Sequence, residues 1–246
     1  MKPDIQTRKL VGKSKRLIYI GEIERARLLL LRALNLTTDH GLEGPGHFFL
    51  PRIWHRFAQT RLAADNFAGA EEQFATALEK FERSNYVGRA RLLRDWGYAE
   101  FKFGDSPPAV GASRIAEAIR VLQRQPKAER DERWELELLV TRGVLARTHV
   151  HEDPAKSLVV FREVEQHLSG ANKPVYRHDN LVHMIPLLPL IEQPHYRLIE
   201  GKLWLGLVAG DEVNLIIGDI ESRNLARIAF GFTSRRIRRL VGRRRL

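Results

Sequence analysis

The residues best suited to chemistry are the histidines and carboxylates of "HVHED", residues 149–153. Imidazole and carboxylate groups bind zinc, but a zinc site needs further ligands at fixed spacing, and this stretch has no third spaced ligand. Asp153 is followed by Pro154, an order typical of a helix start, so we predict that Asp153 caps a helix. His178 and His183 are five residues apart and do not share a helix face as ligands four apart would. We therefore predict no metal site.

Other catalytic motifs are also missing from the sequence. The stretch "GLEGPG" at 41–46 lacks the lysine and the preceding strand of a phosphate-binding loop, so we predict that it connects two repeated units. No serine lies in a G-x-S-x-G setting. The chain has no cysteine, which excludes disulfides, thiolate zinc ligands and a cysteine nucleophile. We predict a protein without enzymatic activity or cofactor, and a regulatory subunit of an enzyme is the alternative.

Positive charge is concentrated at the two ends of the chain. Residues 1–16 contain six Lys or Arg and one Asp, and residues 234–246 contain seven Arg. These ends together carry a charge of +12, so residues 17–233 carry −1 of the total of +11. Phosphate contacts need only cations at tolerant spacing. We predict such contacts, to DNA or RNA, by Lys9, Lys13, Lys15, Arg16, Arg235, Arg236, Arg238, Arg239, Arg243, Arg244 and Arg245.

The arginine-rich tail, residues 234–246, has the pattern of a short helix. Its start can be capped by the "TS" at 233–234 and its end by Gly242, and Ile237, Leu240 and Val241 form a narrow apolar stripe. We expect this stripe to dock on the preceding helices and to leave the arginines to phosphate. A solvated end and a contact with anionic lipid are the alternatives.

The rest of the chain has the composition of a folded globular protein. With 246 residues and 43% hydrophobic content, it can bury a full core. Its longest apolar run, "MIPLLPLI" at 184–191, is far shorter than the roughly 20 residues that cross a bilayer. No apolar stretch of signal-peptide length follows the N-terminus. We expect a cytoplasmic protein without a transmembrane segment.

The clearest structural unit is "RIWHRFAQTRLAADNFAGAEEQFATALEKF", residues 52–81. One apolar face consists of Trp54, Phe57, Ala58 and Leu62, and a second, after the break at "ADN", of Phe67, Ala70, Phe74, Ala77, Leu78 and Phe81. These periodicities predict two amphipathic helices with small residues where they cross. The spacing of Trp, then Ala-x3-Phe-x2-Ala, resembles the tetratricopeptide repeat (TPR), a helical hairpin that stacks into a right-handed solenoid.

The same spacing recurs upstream and downstream. Upstream, Ala26, Leu30 and Ala33 lie on a second helix, whose first helix is predicted around residues 7–19. Downstream, Gly97 marks a crossing with Ile115, Ala118 and Leu122, and Gly143 marks another with Ala155 and Val159. The offsets Ala33 to Ala77, Ala77 to Ala118 and Gly97 to Gly143 are 44, 41 and 46 residues. They exceed the usual 34 and indicate long-helix repeats. The resemblance covers residues 7–168, and an irregular helical bundle is the alternative.

Three regions follow, within an all-α fold class. Residues 1–168 are predicted to form three to four TPR-like hairpins, residues 169–233 a C-terminal helical cap, and residues 234–246 the basic tail. The cap contains three predicted helices, "LVHMIPLLPLI", "HYRLIEGKLWLGLVAGD" and "NLIIGDIESRNLARIAFGF", the last two as a hairpin about Gly210 and Asp211. A short strand at 215–217 is an alternative within the cap.

The resemblance also implies where a ligand would bind. In TPR proteins, ligands usually lie in a concave groove lined by the first helix of each pair. The corresponding protein-binding groove here consists of Arg52, His55, Gln59, Arg91, Arg94, Tyr98, Lys102 and Arg147. Because the second helices carry many glutamates, a neutral body can combine a basic groove with an acidic opposite side. The alternative is that these arginines are solvated and pair with glutamates one turn away.

Together these features predict a non-catalytic scaffold or adaptor. We expect it to bind a protein partner or acidic peptide and to contact nucleic-acid phosphates through its basic ends and groove, as a component of a larger complex. No zinc finger, RNA-recognition motif or helix-turn-helix is recognisable, so base-specific contacts are not expected. The alternative is a regulatory adaptor that binds only protein or peptide.

Overall fold

The computed structural model describes residues 2–42 and 49–170, together with Asn180, Met184 and two short strands beyond them. The two long stretches are helical. Their helices are α1 (Pro3–Tyr19), α2 (Ile23–Asp39), α3 (Phe49–Ala63), α4 (Phe67–Lys80), α5 (Tyr86–Phe103), α6 (Pro108–Gln123), α7 (Glu132–Thr148) and α8 (Pro154–Gly170), with a 3-10 turn at Lys127–Glu129. Residues 1–160 belong to one compact unit and residues 161–246 to a second.

The eight helices pack in neighbouring pairs. Helices α1, α3 and α5 each pack against the helix that follows, and the Ser157 hydroxyl of α8 donates to the Ala146 carbonyl of α7 at 3.0 Å. Each pair also contacts the next, through α2 on α3, α4 on α5 and α6 on α7. The first helices of successive pairs meet as well, α1 on α3 and α5 on α7. This arrangement is compatible with a helical-hairpin repeat fold.

In each second helix, four buried positions recur at the same spacing of four, three and four residues. The sets are Ala26, Leu30, Ala33 and Thr37 in α2; Ala70, Phe74, Ala77 and Phe81 in and just after α4; Gly111, Ile115, Ala118 and Leu122 in α6; and Ser157, Phe161, Val164 and Leu168 in α8. This spacing places all four on one helical face. The positions predicted in α2 and α6 are therefore confirmed as buried, and so are four of the six in α4, whereas Phe67 and Leu78 are only partly buried.

The prediction for α8 was wrong by two residues. Ala155 is exposed, and Val159 is 57% exposed. The buried face begins instead at Ser157, which fits at the small-residue position because its hydroxyl bonds to a backbone carbonyl of α7. The residues that follow it on this face are apolar and fully or almost fully buried.

The first helices bury a small residue at a matching place, namely Ser14 in α1, Ala58 in α3, Gly97 in α5 and Gly143 in α7. The α5–α6 crossing shows why the residue must be small. A β-carbon added to Gly97 would lie 2.6 Å from the Gly111 carbonyl oxygen, and one added to Gly111 would lie 2.5 Å from the Gly97 oxygen. The backbones thus touch where the sequence predicted a crossing.

Side-chain caps begin four of the helices. The carboxamide oxygens of Asn66 and Asn85 accept from the third backbone N–H of α4 and α5, at 2.8 and 3.0 Å. Asp131 accepts from the Trp134 N–H at the start of α7. Asp153 accepts from the Lys156 N–H at 2.9 Å, which confirms its predicted capping role. Each cap satisfies a backbone N–H that the helix itself leaves without a partner.

Part of the predicted C-terminal cap is extended rather than helical. Strands β1 (His195–Ile199) and β2 (Lys202–Gly206) pair antiparallel, with Ile199 opposite Lys202. The helix predicted for "HYRLIEGKLWLGLVAGD" is therefore wrong over these residues. Two runs rich in aromatic and branched residues, separated by two residues ending in glycine, are a hairpin pattern that outweighed the helical one.

The rest of the cap falls largely beyond what the structure describes. The hairpin predicted about Gly210 and Asp211, the alternative strand at 215–217 and the whole arginine-rich tail lie outside the described residues. Within the described ranges, no helix combines the length and apolar character needed to cross a membrane.

Candidate functional site

The candidate site is the charged surface of α1, α3, α5 and α7, which we call the first-helix surface. Its residues recur at helical spacing, as with Arg52, Arg56 and Gln59 on α3 and Arg91 and Asp95 on α5. Residues three or four apart share a helical face, so each helix contributes a short polar stripe. The opposite stripes of these helices pack against the second helices.

Helices α3 and α5 are joined through the carboxylate of Asp95. Its Oδ2 lies 3.0 Å from His55 Nε2 and accepts from Gln59 Nε2 at 3.2 Å. A carboxylate only accepts, so we assign the proton of the neutral His55 ring to Nε2. Arg56 in turn donates to the carboxamide oxygen of Gln59. These contacts hold three side chains of α3 against one acid of α5.

Helices α5 and α7 are joined through Arg94 and Glu137. Arg94 donates to Asp95 Oδ1 from Nε at 2.9 Å and Nη2 at 2.7 Å, and from Nη1 to Glu137 Oε1. Arg91 donates from Nε to Glu137 Oε2 at 2.8 Å, with its Nη2 2.7 Å from the same oxygen. The side chain of Glu137 is 3% exposed and that of Arg94 is 11% exposed. This is a partly buried ionic network spanning three helices, in which each oxygen of Asp95 and Glu137 has a partner.

Two pKa values in this network are displaced for different reasons. Burial opposes the charged form of Asp95, but Arg94 and the hydrogen bond from His55 outweigh it and hold the pKa of Asp95 well below its ordinary 3.8. Burial lowers the pKa of His55 below its ordinary 6.5, although Asp95 acts in the opposite direction. Asp95 is therefore ionised and His55 neutral near pH 7.

Two cations near the network, Lys15 and Arg52, have lowered pKa values. The pKa of Lys15 is lowered first by burial and then by the charges of Arg56 and Arg91. Arg52 is exposed overall, but neighbouring side chains partly desolvate its guanidinium, and this lowers its pKa first, before the charges of Arg91, Arg56, Arg8 and Arg133. These cations come from all four first helices, so positive charge from distant parts of the sequence converges on one surface.

A second group of predicted residues lies around Tyr98. Lys102 Nζ is 5.1 Å from the centroid of the Tyr98 ring, and the Arg147 guanidinium carbon is 6.0 Å from it. Tyr98 also stacks on Phe101, with ring centroids 6.4 Å apart. Cations over an aromatic face are held by the quadrupole of the ring. The structure thus places seven of the eight predicted groove residues in two groups, one around Asp95 and Glu137 and one around Tyr98. Two of the seven, His55 and Arg94, are buried, and Arg52 is related to the first group only through the charges of Arg91 and Arg56.

The predicted phosphate-binding residues are divided. Lys9, Lys13 and Arg16 are exposed on α1 and border a shallow cavity of about 530 Å³ with Gly12 and Leu17. Lys15 is not part of this group, because it is half-buried and lies within reach of the charges on α3 and α5. The seven tail arginines, predicted with them, lie outside the described residues.

Several site residues were missed by the sequence prediction, chiefly Asp95, Arg8, Arg56 and Arg133. The sequence contains a signal for two of them, Arg56 and Asp95. Arg56 follows Arg52 by four residues and therefore shares its face. Asp95 follows Arg91 by four residues in the same way, and it is one of few acids on the first helices. The role of Asp95 depends on α3, which no local pattern reveals.

The "HVHED" stretch, residues 149–153, connects α7 to α8. His149 Nδ1 lies 2.9 Å from a Glu152 carboxylate oxygen, next to the capping Asp153. Among the described residues, no three or more His, Asp or Glu side chains come together as a metal would require. His178 and His183 lie outside the described residues.

Comparison with known proteins gives no family to which the chain can be assigned. No protein-family profile, no curated protein and no solved structure matches it.

Proposed function

We propose that the chain is a non-catalytic scaffold of TPR-like hairpins, stacked as a right-handed solenoid, that binds an acidic segment of a partner protein on its first-helix surface. The supporting fold observation is the four-position burial spacing shared by α2, α4, α6 and α8. In such an array, each hairpin buries its apolar face only against its neighbours, and the first helices form a continuous surface.

The observation that carries the function is the environment of Arg52. Partial desolvation lowers its pKa first, and the charges of four other arginines, from α1, α3, α5 and α7, lower it further. In the same region, Asp95 and Glu137 are occupied by Arg91, Arg94, His55 and Gln59. An anionic ligand would relieve the repulsion among the cations, and binding would stabilise the folded chain by linkage.

A double charge reversal tests this proposal. Arg8→Glu and Arg52→Glu change two exposed side chains, so the fold should be retained, which circular dichroism would verify. The control is Arg25→Glu with Arg32→Glu, two exposed arginines of α2. Proteins that copurify with the wild type after nuclease treatment should be lost with the first pair and kept with the control. Equal recovery with both variants would contradict the proposal.

A second function has support from α1. The exposed stripe of Lys9, Lys13 and Arg16, spaced by four and three residues, presents three cations on one side of a helix. Such a stripe suits phosphate oxygens, and the basic tail contains seven further arginines. We therefore keep nucleic-acid phosphate contact as an additional proposal, with the chain acting as a component of a larger complex.

This second function predicts a changed salt dependence. Replacing Lys9, Lys13 and Arg16 by Gln should weaken binding to short DNA and RNA alike and flatten the slope of log K against log salt by roughly 2 to 3. Truncation after Ser234 should act in the same direction through the tail arginines. Unchanged affinity and slope in both variants would rule out phosphate contact by either end.

A further inference from the structure

Three arginines occupy the same place on three successive first helices. Arg8, Arg52 and Arg91 each precede, by six residues, the buried small residue of their helix, which is Ser14, Ala58 and Gly97 respectively. Matching positions in packed hairpins form a row across the helices. We call these three residues the arginine row.

The electrostatics agree with this placement. Arg91 and Arg8 are both among the charges that lower the pKa of Arg52, as expected for the middle member of a row. Arg8 and Arg52 are exposed, and the side chain of Arg91 is 40% exposed. The row therefore lies on accessible surface.

The fourth matching position ends the row with an opposite charge. Glu137 precedes Gly143 by six residues, and it bonds to Arg91. An acidic ligand group at this position would meet a carboxylate rather than a guanidinium. The row thus offers three cationic places, and at Arg91 the charge is shared with Glu137.

The spacing of helices sets the spacing of ligand charges. Packed helices lie about 8–10 Å apart. A chain in the extended polyproline II conformation advances about 3.1 Å per residue with three residues per turn, so every third side chain lies on the same side. One step along the row therefore matches three residues of an extended peptide. We infer that the arginine row binds an extended acidic segment with a carboxylate at every third residue, three in all. This inference rests on the proposed function and adds the register of the ligand.

Two fluorescent peptides of identical composition test the register. Both are nine residues long, blocked at their ends and otherwise Gly and Ser. One has Glu at the first, fourth and seventh positions, and the other at the first three. Anisotropy at low salt, about 50 mM, keeps exposed pairs measurable. Each matched ion pair adds about two- to fivefold in affinity. The spaced peptide can form two more matched pairs than its isomer, so it should bind at least about fourfold more tightly.

Variants link the result to the row. Arg52→Gln should lower the affinity of the spaced peptide about fivefold, whereas Arg32→Gln on α2 should leave it unchanged. Equal binding of both peptides, with both weakened by Arg52→Gln, would overturn the register but leave the proposed function standing. Binding that Arg52→Gln does not weaken, or no binding by either peptide, would overturn both. A single-stranded DNA nonamer that bound through Arg52 more tightly than either peptide would replace the acidic partner by nucleic acid.

Discussion

The second helices α2, α4 and α6 bury Ala, Leu, Phe and Ile at matching positions, whereas the first helices α3, α5 and α7 also bury His55, Arg94 and Glu137. The two sets differ in how far they determine which helices pack together. Apolar faces of one spacing fit many neighbours, because hydrophobic contact is not directional. The ionic network has specific donors and acceptors on three named helices. We interpret the first kind of burial as the main source of stability and the second as a restraint on which helices lie together.

The largest expected effect comes from a substitution on the buried apolar face of a second helix. Phe74 is fully buried in α4 and stacks on Trp96, with ring centroids 6.0 Å apart. Phe74→Ala removes this contact and leaves a cavity, so the free energy of unfolding should fall by about 4 kcal/mol. Urea denaturation measures the change. Val159→Ala, at an exposed position of α8, should cost little, and equal losses in the two variants would contradict the assigned apolar face.

The next largest effect comes from removing one member of the ionic network. Glu137→Ala leaves the buried guanidinium of Arg94 with Asp95 but without its α7 partner. Removing one partner of a buried pair costs about 3–5 kcal/mol, and we expect about 3 because Asp95 remains. Glu135→Ala, at an exposed position of the same helix, is the control for denaturation. A loss below about 0.5 kcal/mol for Glu137→Ala would show that the network does not join the helices.

The network also determines which charge reversals can test ligand binding. Arg91→Glu with Arg94→Glu would place two acids beside Glu137 and Asp95, in a region where Arg94 is buried. We expect this double variant to unfold, so it tests stability rather than binding. Arg52, which is exposed, is the informative position for ligand binding.

A smaller effect tests how closely the paired helices approach. Ala70 is fully buried in α4, and Ala70→Leu should overpack the contact and lower the free energy of unfolding by about 1–3 kcal/mol. Ala68→Leu adds the same side chain at an exposed position of α4 and should be near neutral. Melting temperatures of the two variants provide the comparison. An unchanged value for Ala70→Leu would remove the basis of the shared burial spacing.

The pH dependence distinguishes the ionic network from the apolar contacts. His55 is neutral in the folded chain, with its pKa below the ordinary 6.5 that it regains on unfolding. Below pH 6.5 the unfolded state therefore binds more protons, and stability falls as the pH decreases, by at most about 1.4 kcal/mol per pH unit for one proton. Asp95 adds a further loss below pH 3.8, because its folded pKa is also lowered. His55→Gln should remove the slope between pH 6.5 and 5, whereas His151→Gln should retain it.

The smallest effect concerns a feature that both sets of helices share. Asn66 caps the second helix α4, and Asn85 caps the first helix α5, through the same bond to the third N–H. Each Asn→Ala change should cost about 1 kcal/mol. Ser84→Ala, next to the cap of α5, is the control. A large difference between the two caps in denaturation would show that the helices differ in local stability as well as in burial.

Much of the helical pairing could be predicted because it depends on local patterns. The burial of Leu30, Phe74 and Ile115 follows from apolar periodicity, and the Asp153 cap follows from its neighbour Pro154. Small residues at Gly97 and Ala77 indicated close crossings for the same reason. The error in α8 shows the limit, because a serine with a backbone hydrogen bond serves as well as alanine at such a place.

The sequence by itself determined the helices, their caps and most of their apolar faces, because these depend on residues within a few turns of one another. Only the tertiary structure decided which charges meet. Lys15 lies within reach of the charge of Arg56 on α3 and apart from the exposed group that contains Lys13. Asp95 contacts His55, which lies forty residues earlier in the chain. The spacing of charged residues in the sequence does not identify their partners, because the attraction between two charges depends on their distance and burial after the helices have packed.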